Sequence, residues 1–164
     1  MRLLKLLLAL FVCVGSAPAV AGPYEDAVSA YGQGDYRTAL DLYQPLADHG
    51  DARAQHNLGV MYANGQGVPQ DQAAAVSWWR RAADQGFAQA QGALAVMYER
   101  GEGVRRDLVQ AHKWYSLAAS RFDLSDKYRD ITFRKRDLVA TKMTPAQIAE
   151  AEKLAREWKP TVGQ

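Results

Sequence analysis

The stretch AQHNLGVMYANGQGVPQDQAAAVSWWRRAA, residues 54–83, returns 36 residues later as AQGALAVMYERGEGVRRDLVQAHKWYSLAA, residues 90–119, with 14 of the 30 aligned pairs identical. Segments of ordinary composition share roughly two or three by chance. The identities are patterned, and include Leu58/Leu94, Met61/Met97, Tyr62/Tyr98, Gly65/Gly101, Gly67/Gly103, Val68/Val104, Asp71/Asp107, Ala75/Ala111 and Trp78/Trp114. A period in this range marks a solenoid, where each unit buries its apolar face only by stacking on a neighbour. The register also reaches upstream: Ala39, Tyr43, Ala47, Gly50 and Ala52 lie 36 residues before Ala75, Trp79, Ala83, Gly86 and Ala88. Three units are the number at which a continuous core becomes possible.

Within a unit, Ala54, Leu58, Met61 and Tyr62 fall at i, i+4, i+7 and i+8, one apolar stripe at helical spacing. This is helix A. Ala75, Trp78, Trp79, Ala82 and Ala83 predict a second helix, B, with Pro69 and Asp71 as start signals and Gly86 as its stop. The two glycines of Asn64-Gly65-Gln66-Gly67-Val68 supply the turn between them. Alternation of Ala with Trp or Tyr suits close packing, so Trp79 is expected between helices A and B. Trp78, Trp114 and Tyr115 are read as core on the same grounds, and Gln72 and Arg80 as the outer face of helix B. Gly59 inside helix A costs about 1 kcal/mol of propensity relative to Ala, which points to a close approach there. Ala95 stands at the equivalent place.

Ala54 to Gly86 fits the pattern A-x-x-x-L-G-x-x-Y-x-x-G-x-G-V-x-x-D-x-x-x-A-x-x-W-[YW]-x-x-A-A-x-x-G at each fixed position, and Ala90 to Ala119 departs from it only at Ala95. On these residues the chain resembles the Sel-one-like repeat family, a branch of the tetratricopeptide superfamily. The resemblance implies an all-α, right-handed solenoid of helix pairs that binds other proteins. The first unit differs, because Tyr31-Gly32-Gln33-Gly34-Asp35-Tyr36 has the shorter turn of an ordinary tetratricopeptide repeat. The array stops at Phe122, where the next stop glycine is due. The expected organisation is therefore a leader over 1–21, three units over 22–122 (about 23–51, 52–87 and 88–122), and capping helices over 123–164. In the cap, Leu124, Tyr128, Ile131 and Leu138 read as one inward stripe, and Ile148, Ala151, Ala155 and Trp158 as another. Thr144-Pro145-Ala146-Gln147 is a helix start.

Met1, Arg2 and Lys5 precede the apolar run Leu6 to Val14, and Ala19-Val20-Ala21 is an A-x-A cleavage signal. The run is too short to span a bilayer, so the expectation is a secretory leader, a periplasmic or secreted product, and no integral membrane span after cleavage. Cys13, the one cysteine, leaves with the leader, which removes disulfides, thiolate metal sites and a thiol nucleophile. Removal of Arg2 and Lys5 leaves eighteen basic and eighteen acidic residues. Nucleic-acid binding needs a basic surplus on one face, and none survives.

Chemistry finds little support. His49, His56 and His112 have no ligand spacing and are read as solvated surface, with no metal and no cofactor expected. No serine stands in G-x-S-x-G or S-x-x-K. The family resemblance brings a rival, a cell-wall or β-lactam hydrolase akin to cysteine-rich members, but those carry paired cysteines in each unit. Arg134-Lys135-Arg136 is interleaved with Asp130 and Asp137 and reads as a solvated face. What remains is an adaptor that holds a protein or peptide partner on the A helices. The positions outside the stripe are Arg53, Asn57, Val60 and Asn64 in one unit and Gln89, Ala93, Val96 and Arg100 in the next. Asn amides there offer a peptide backbone both donor and acceptor. The leader reading is checked by the intact mass of the exported protein, which should begin at Gly22; a product that retains residues 1–21 contradicts it.

Overall fold

The computed structural model describes residues 22–123 and 126–161, and among these all regular structure is α-helical. The leader assigned to 1–21 lies outside them, as does Leu124. The helices are α1 (Pro23–Gly32), α2 (Tyr36–Asp48), α3 (Ala52–Asn64), α4 (Gln72–Asp84), α5 (Ala88–Arg100), α6 (Leu108–Arg121), α7 (Lys127–Ala140) and α8 (Pro145–Glu157). From α1 to α7 each helix packs on the next, while α8 packs on α6, so α1/α2, α3/α4 and α5/α6 are the three A/B pairs. Aspartates start helix after helix. Asp71 accepts from the backbone N–H groups of Ala73 and Ala74, both at 2.9 Å, and α4 begins at Gln72. Pro69 therefore belongs to the connector and not to the helix.

The connectors of the second and third units share one geometry. Asp71 N–H donates to Tyr62 O at 2.9 Å and Asp107 N–H to Tyr98 O at 3.0 Å. Gly67 and Gly103 have φ of 74° and 66°, a region where a Cβ is strained. They also press on the preceding unit. A Cβ on Gly67 would sit 2.7 Å from Tyr36 O at the start of α2, and one on Gly103 closer still to Gln72 O at the start of α4. Gln72 is thus not a plain outer-face residue: its backbone takes this contact, and its side-chain amide donates to Ala63 O at 3.0 Å.

Trp79 is buried, 5% exposed, and its indole N–H donates to His56 O at 3.1 Å. The close approach at Gly59 is to this indole: a Cβ there would lie 2.5 Å from Trp79 Nε1. In the third unit the smaller Tyr115 replaces Trp79 and Ala95 replaces Gly59, both buried. The methyl and the ring trade volume. Gln55 and Gln91 are buried as well, and each donates through Nε2 to the last turn of the preceding helix B, to Ala47 O at 3.0 Å and Ala83 O at 3.1 Å.

The cap departs from expectation on α7. Its buried residues are Thr132 and Val139, while Tyr128, Ile131 and Leu138 are about half exposed, at 53%, 46% and 55%. The reason is that, among the described residues, no helix packs over that side: α7 packs on α6, and α8 also packs on α6. The second stripe is placed as read at Ala151, Ala155 and Trp158, while Ile148 is only partly buried and lies outside the core clusters. Ala151 is buried, Ala155 and Trp158 pack on the core, and Trp158 meets Trp114 edge-on at 6.2 Å. Thr144 and Gln147 form a reciprocal capping box.

Helix propensity alone favours Ala over Gly by about 1 kcal/mol at either interior glycine of the A helices. The surroundings separate them. Gly59→Ala should destabilise by about 1–3 kcal/mol through overpacking against Trp79, whereas a Cβ on Gly92 meets nothing within 4 Å and Gly92→Ala should stabilise by up to about 1 kcal/mol. Chemical denaturation of the pair checks this; shifts of the same sign contradict the packing described.

Candidate functional site

A cavity of about 410 Å³ opens between α3, α5 and α7. Its floor is α5, through Gly92, Ala93 and Val96, with the exposed Gln89 at the edge; α3 contributes His56, α6 contributes Tyr115, and Phe122 follows as the C-cap of α6. Tyr128, Ile131, Thr132 and Lys135 of α7 form the remaining wall. The space exists because the residue 36 after His56 is Gly92, which has no side chain, and because α7 turns its apolar side outward into the gap. The size and the largely apolar lining are those of a ligand cleft.

Three of the sequence-selected positions, Gln89, Ala93 and Val96, meet in this cavity. The others do not. Arg53 pairs with Asp51 at 2.8 Å and lies 4.0 Å over the Tyr24 ring. Asn57 donates to the Tyr24 hydroxyl at 3.2 Å, so its amide is engaged by α1. Val60 packs on the core. Asn64 donates to Gln66 Oε1 at 3.3 Å, an oxygen that also accepts from the Tyr31 hydroxyl. Arg100 is exposed, 3.8 Å from Glu102.

The residues missed from sequence are His56, Gly92, Phe122, Tyr128, Ile131 and Lys135. Two histidine readings need correction. His56 is not solvated surface: its ring lies 5.4 Å from Phe87, its Nδ1 is buried with no partner, and burial pulls its pKa down to about 4. His112 is buried on α6, and its pKa is lowered by burial first and by Arg136 second. The signal for His56 was its place two residues before Leu58, beside the stripe.

Electrostatically the cavity holds one cation, Lys135, and a neutral imidazole. Close by, Glu99 accepts from the Tyr115 hydroxyl at 2.9 Å and pairs with Lys142 at 3.6 Å, which ties the cap to the third unit. Burial and this carboxylate both push the Tyr115 pKa up. Among the described residues no three His, Cys, Asp or Glu side chains are grouped to hold a metal, and no helix is long and apolar enough to cross a membrane. The arrangement suits binding of an apolar side chain with a polar group beside it.

The profile of the family described as Sel1 repeat matches residues 27–51, 52–87 and 88–121. Among solved structures, a protective antigen of uropathogenic Escherichia coli strains with an SLR fold superposes with a TM-score of 0.74 at 29% identity, over 84% of this chain and 30% of its own. A Sel1 repeat protein from Oxalobacter formigenes gives a TM-score of 0.65 at 25% identity, over 83% of this chain and 56% of its own. Among curated proteins, DAP3-binding cell death enhancer 1 of Rattus norvegicus is 42% identical over 43 residues, and that of Mus musculus 40%. These segments are 26% of this chain and 8% of the curated proteins, so the chain spans a small part of their length.

The burial of His56 has a pH signature. Its folded pKa of about 4 lies below the ordinary 6.5, so between the two values the unfolded chain takes the proton and the folded chain does not. Stability from this group is complete above about pH 6.5 and falls as pH drops towards 4, by at most about 3 kcal/mol. Asp84, raised by burial, acts in the opposite direction, so the quantity to measure is the difference between the wild type and His56→Gln. The variant should lose part of the slope between pH 6.5 and 4; equal slopes contradict the buried neutral ring.

Proposed function

Because the chain belongs to the Sel1 repeat family, whose fold is generally a protein-interaction scaffold, we propose that it is a non-enzymatic adaptor that takes an apolar side chain of a protein or peptide partner between α3, α5 and α7. The observation that carries this is the cavity with Ala93 and Val96 on its floor and the half-exposed Tyr128 and Ile131 on its wall. Burial of one Ile or Phe side chain there contributes about 1.5–3 kcal/mol. The neutral His56 ring and the Lys135 ammonium give the partner polar contacts, the latter for a carboxylate next to the apolar residue. Gln89 supplies an amide at the rim.

The site of action is the envelope. The apolar run Leu6 to Val14 followed by Ala19-Val20-Ala21 supports export to the periplasm or beyond, and the likeness to a bacterial protective antigen supports a role outside the cytoplasm.

Peptides selected from a random displayed library against the wild type provide the test. Ala93→Trp, which fills the cavity, and Ile131→Glu, which charges its wall, should each weaken the selected peptides at least tenfold, consistent with loss of a buried anchor. Ser77→Glu on the exposed side of α4 should leave them bound. Full binding by both cavity variants, with loss in Ser77→Glu, puts the site on the B helices and ends this reading.

A further inference from the structure

A second cavity of about 810 Å³ lies where α4, the connector into α6 and the first turn of α8 meet. Arg80, Arg105 and Arg106 line it, together with Tyr98, Gln110 and Gln147. Asp107, whose carboxylate caps α6 through Gln110 N–H at 3.0 Å, is the one acid in the lining. Among the described residues the ion pairs involve Arg37, Arg53, Arg100, Arg136, Lys142 and Arg156, and none involves Arg80, Arg105 or Arg106. Three arginines thus line one cavity without an ion pair to a carboxylate; Asp84, in Coulombic range of Arg80, is shared with Lys113. Such a grouping is unfavourable in the empty protein by mutual repulsion.

The internal repeat supplies a control for what these residues do structurally. Positions 105, 106 and 80 correspond, 36 residues earlier, to Pro69, Gln70 and Gln44. The two connectors nevertheless make the same bonds: Gln70 donates through its side chain to Ala63 O at 2.7 Å, and Arg106 donates through Nε to the equivalent Glu99 O at 3.0 Å. A glutamine therefore suffices for the structural bond, and a proline fits at the position before it. The charges are surplus to the fold. Arg106 keeps its terminal nitrogens for another acceptor, and Arg80 is held in place by the Tyr98 hydroxyl and ring.

We propose that this cavity binds a phosphoryl group, either as a free anion or as a phosphoester displayed on another molecule. Three guanidiniums less Asp107 leave a charge of +2, which a phosphate monoester at about −1.5 to −2 neutralises at pH 7 and a single carboxylate does not. Guanidinium forks and amide N–H groups also outnumber the two oxygens of a carboxylate, while the three terminal oxygens of a phosphoryl group accept from several at once. The site is separate from the cavity between α3, α5 and α7, and does not depend on it.

The test is calorimetric titration of the full chain at fixed ionic strength with four probes: inorganic phosphate, acetate, a phosphoserine peptide and its glutamate counterpart. The variants are Arg105→Pro with Arg106→Gln, which installs the residues of the preceding unit, and Arg80→Gln. Saturable binding of inorganic phosphate or of the phosphoserine peptide is expected, weakened at least tenfold in each variant, with circular dichroism unchanged. Binding of inorganic phosphate assigns a free anion; binding of the peptide alone assigns a displayed phosphoester; either upholds the site. Should the double variant unfold, Arg105→Gln with Arg106→Gln replaces it. No saturable binding of either phosphoryl probe, equal affinity for the acetate or glutamate probe, or full binding in the folded variants overturns the proposal.

Discussion

The stack depends on a backbone-to-backbone contact. The second glycine of each long connector, Gly67 or Gly103, lies against the first-turn carbonyl of the preceding helix B, Tyr36 O or Gln72 O, at a distance no Cβ permits. The positive φ at these glycines lets the chain turn there, and the missing side chain lets it dock. One residue type satisfies both demands, which is why the connector repeats with the 36-residue period. The buried Gln55 and Gln91 bonds to the preceding unit recur on the same spacing.

On that spacing, the interior is built from matched pairs. Trp79 requires Gly59, and the smaller Tyr115 admits Ala95. Two buried amides extend the logic to polar groups: Gln55 and Gln91 each donate to a carbonyl at the end of α2 or α4, Ala47 O or Ala83 O, which also accepts from the N–H of Gly50 or Gly86. Gln55 has its second bond, from Gln85 Nε2 at 2.8 Å, but Gln91 Oε1 has none. The residue 36 after Gln85 is Arg121, which lies instead 4.5 Å over the Trp158 ring. The third unit gives up one hydrogen bond where the cap takes over.

Both cavities arise at that change. A fourth unit would cover the outer side of α7 and the connector face of α6, yet α8 folds back onto α6, and Thr161 donates to Asp84 O at 2.8 Å at the end of α4. Apolar side chains of α7 and guanidiniums of the last connector are left facing open space. In a solenoid the end of the array is where neighbours run out, and here the two unfilled spaces differ in chemistry, one apolar with a neutral imidazole and one cationic.

Much of this was legible in the residues themselves. A 36-residue period with paired glycines and paired small and aromatic positions determines an all-α stack, because no other arrangement buries those stripes. It also determines Trp79 in the core and the Asp71 and Asp107 caps, and the local run Thr144-Pro145-Ala146-Gln147 determines its own capping box; all of these rest on contacts local in sequence or repeated by the period. Tertiary structure alone decided what depends on neighbours distant in sequence. Tyr128, Ile131 and Leu138 make a valid apolar stripe by spacing, but spacing says nothing of whether a helix exists to cover it. Asn57 looks free on its own helix, and is engaged because Tyr24 of α1 reaches it. His56 looks polar and exposed, and is partly buried, its Nδ1 fully so, with Phe87 of the next unit against its ring. A periodic pattern specifies the faces that each unit turns to its neighbours, and at the ends of the array there is no repeat to say what those faces meet.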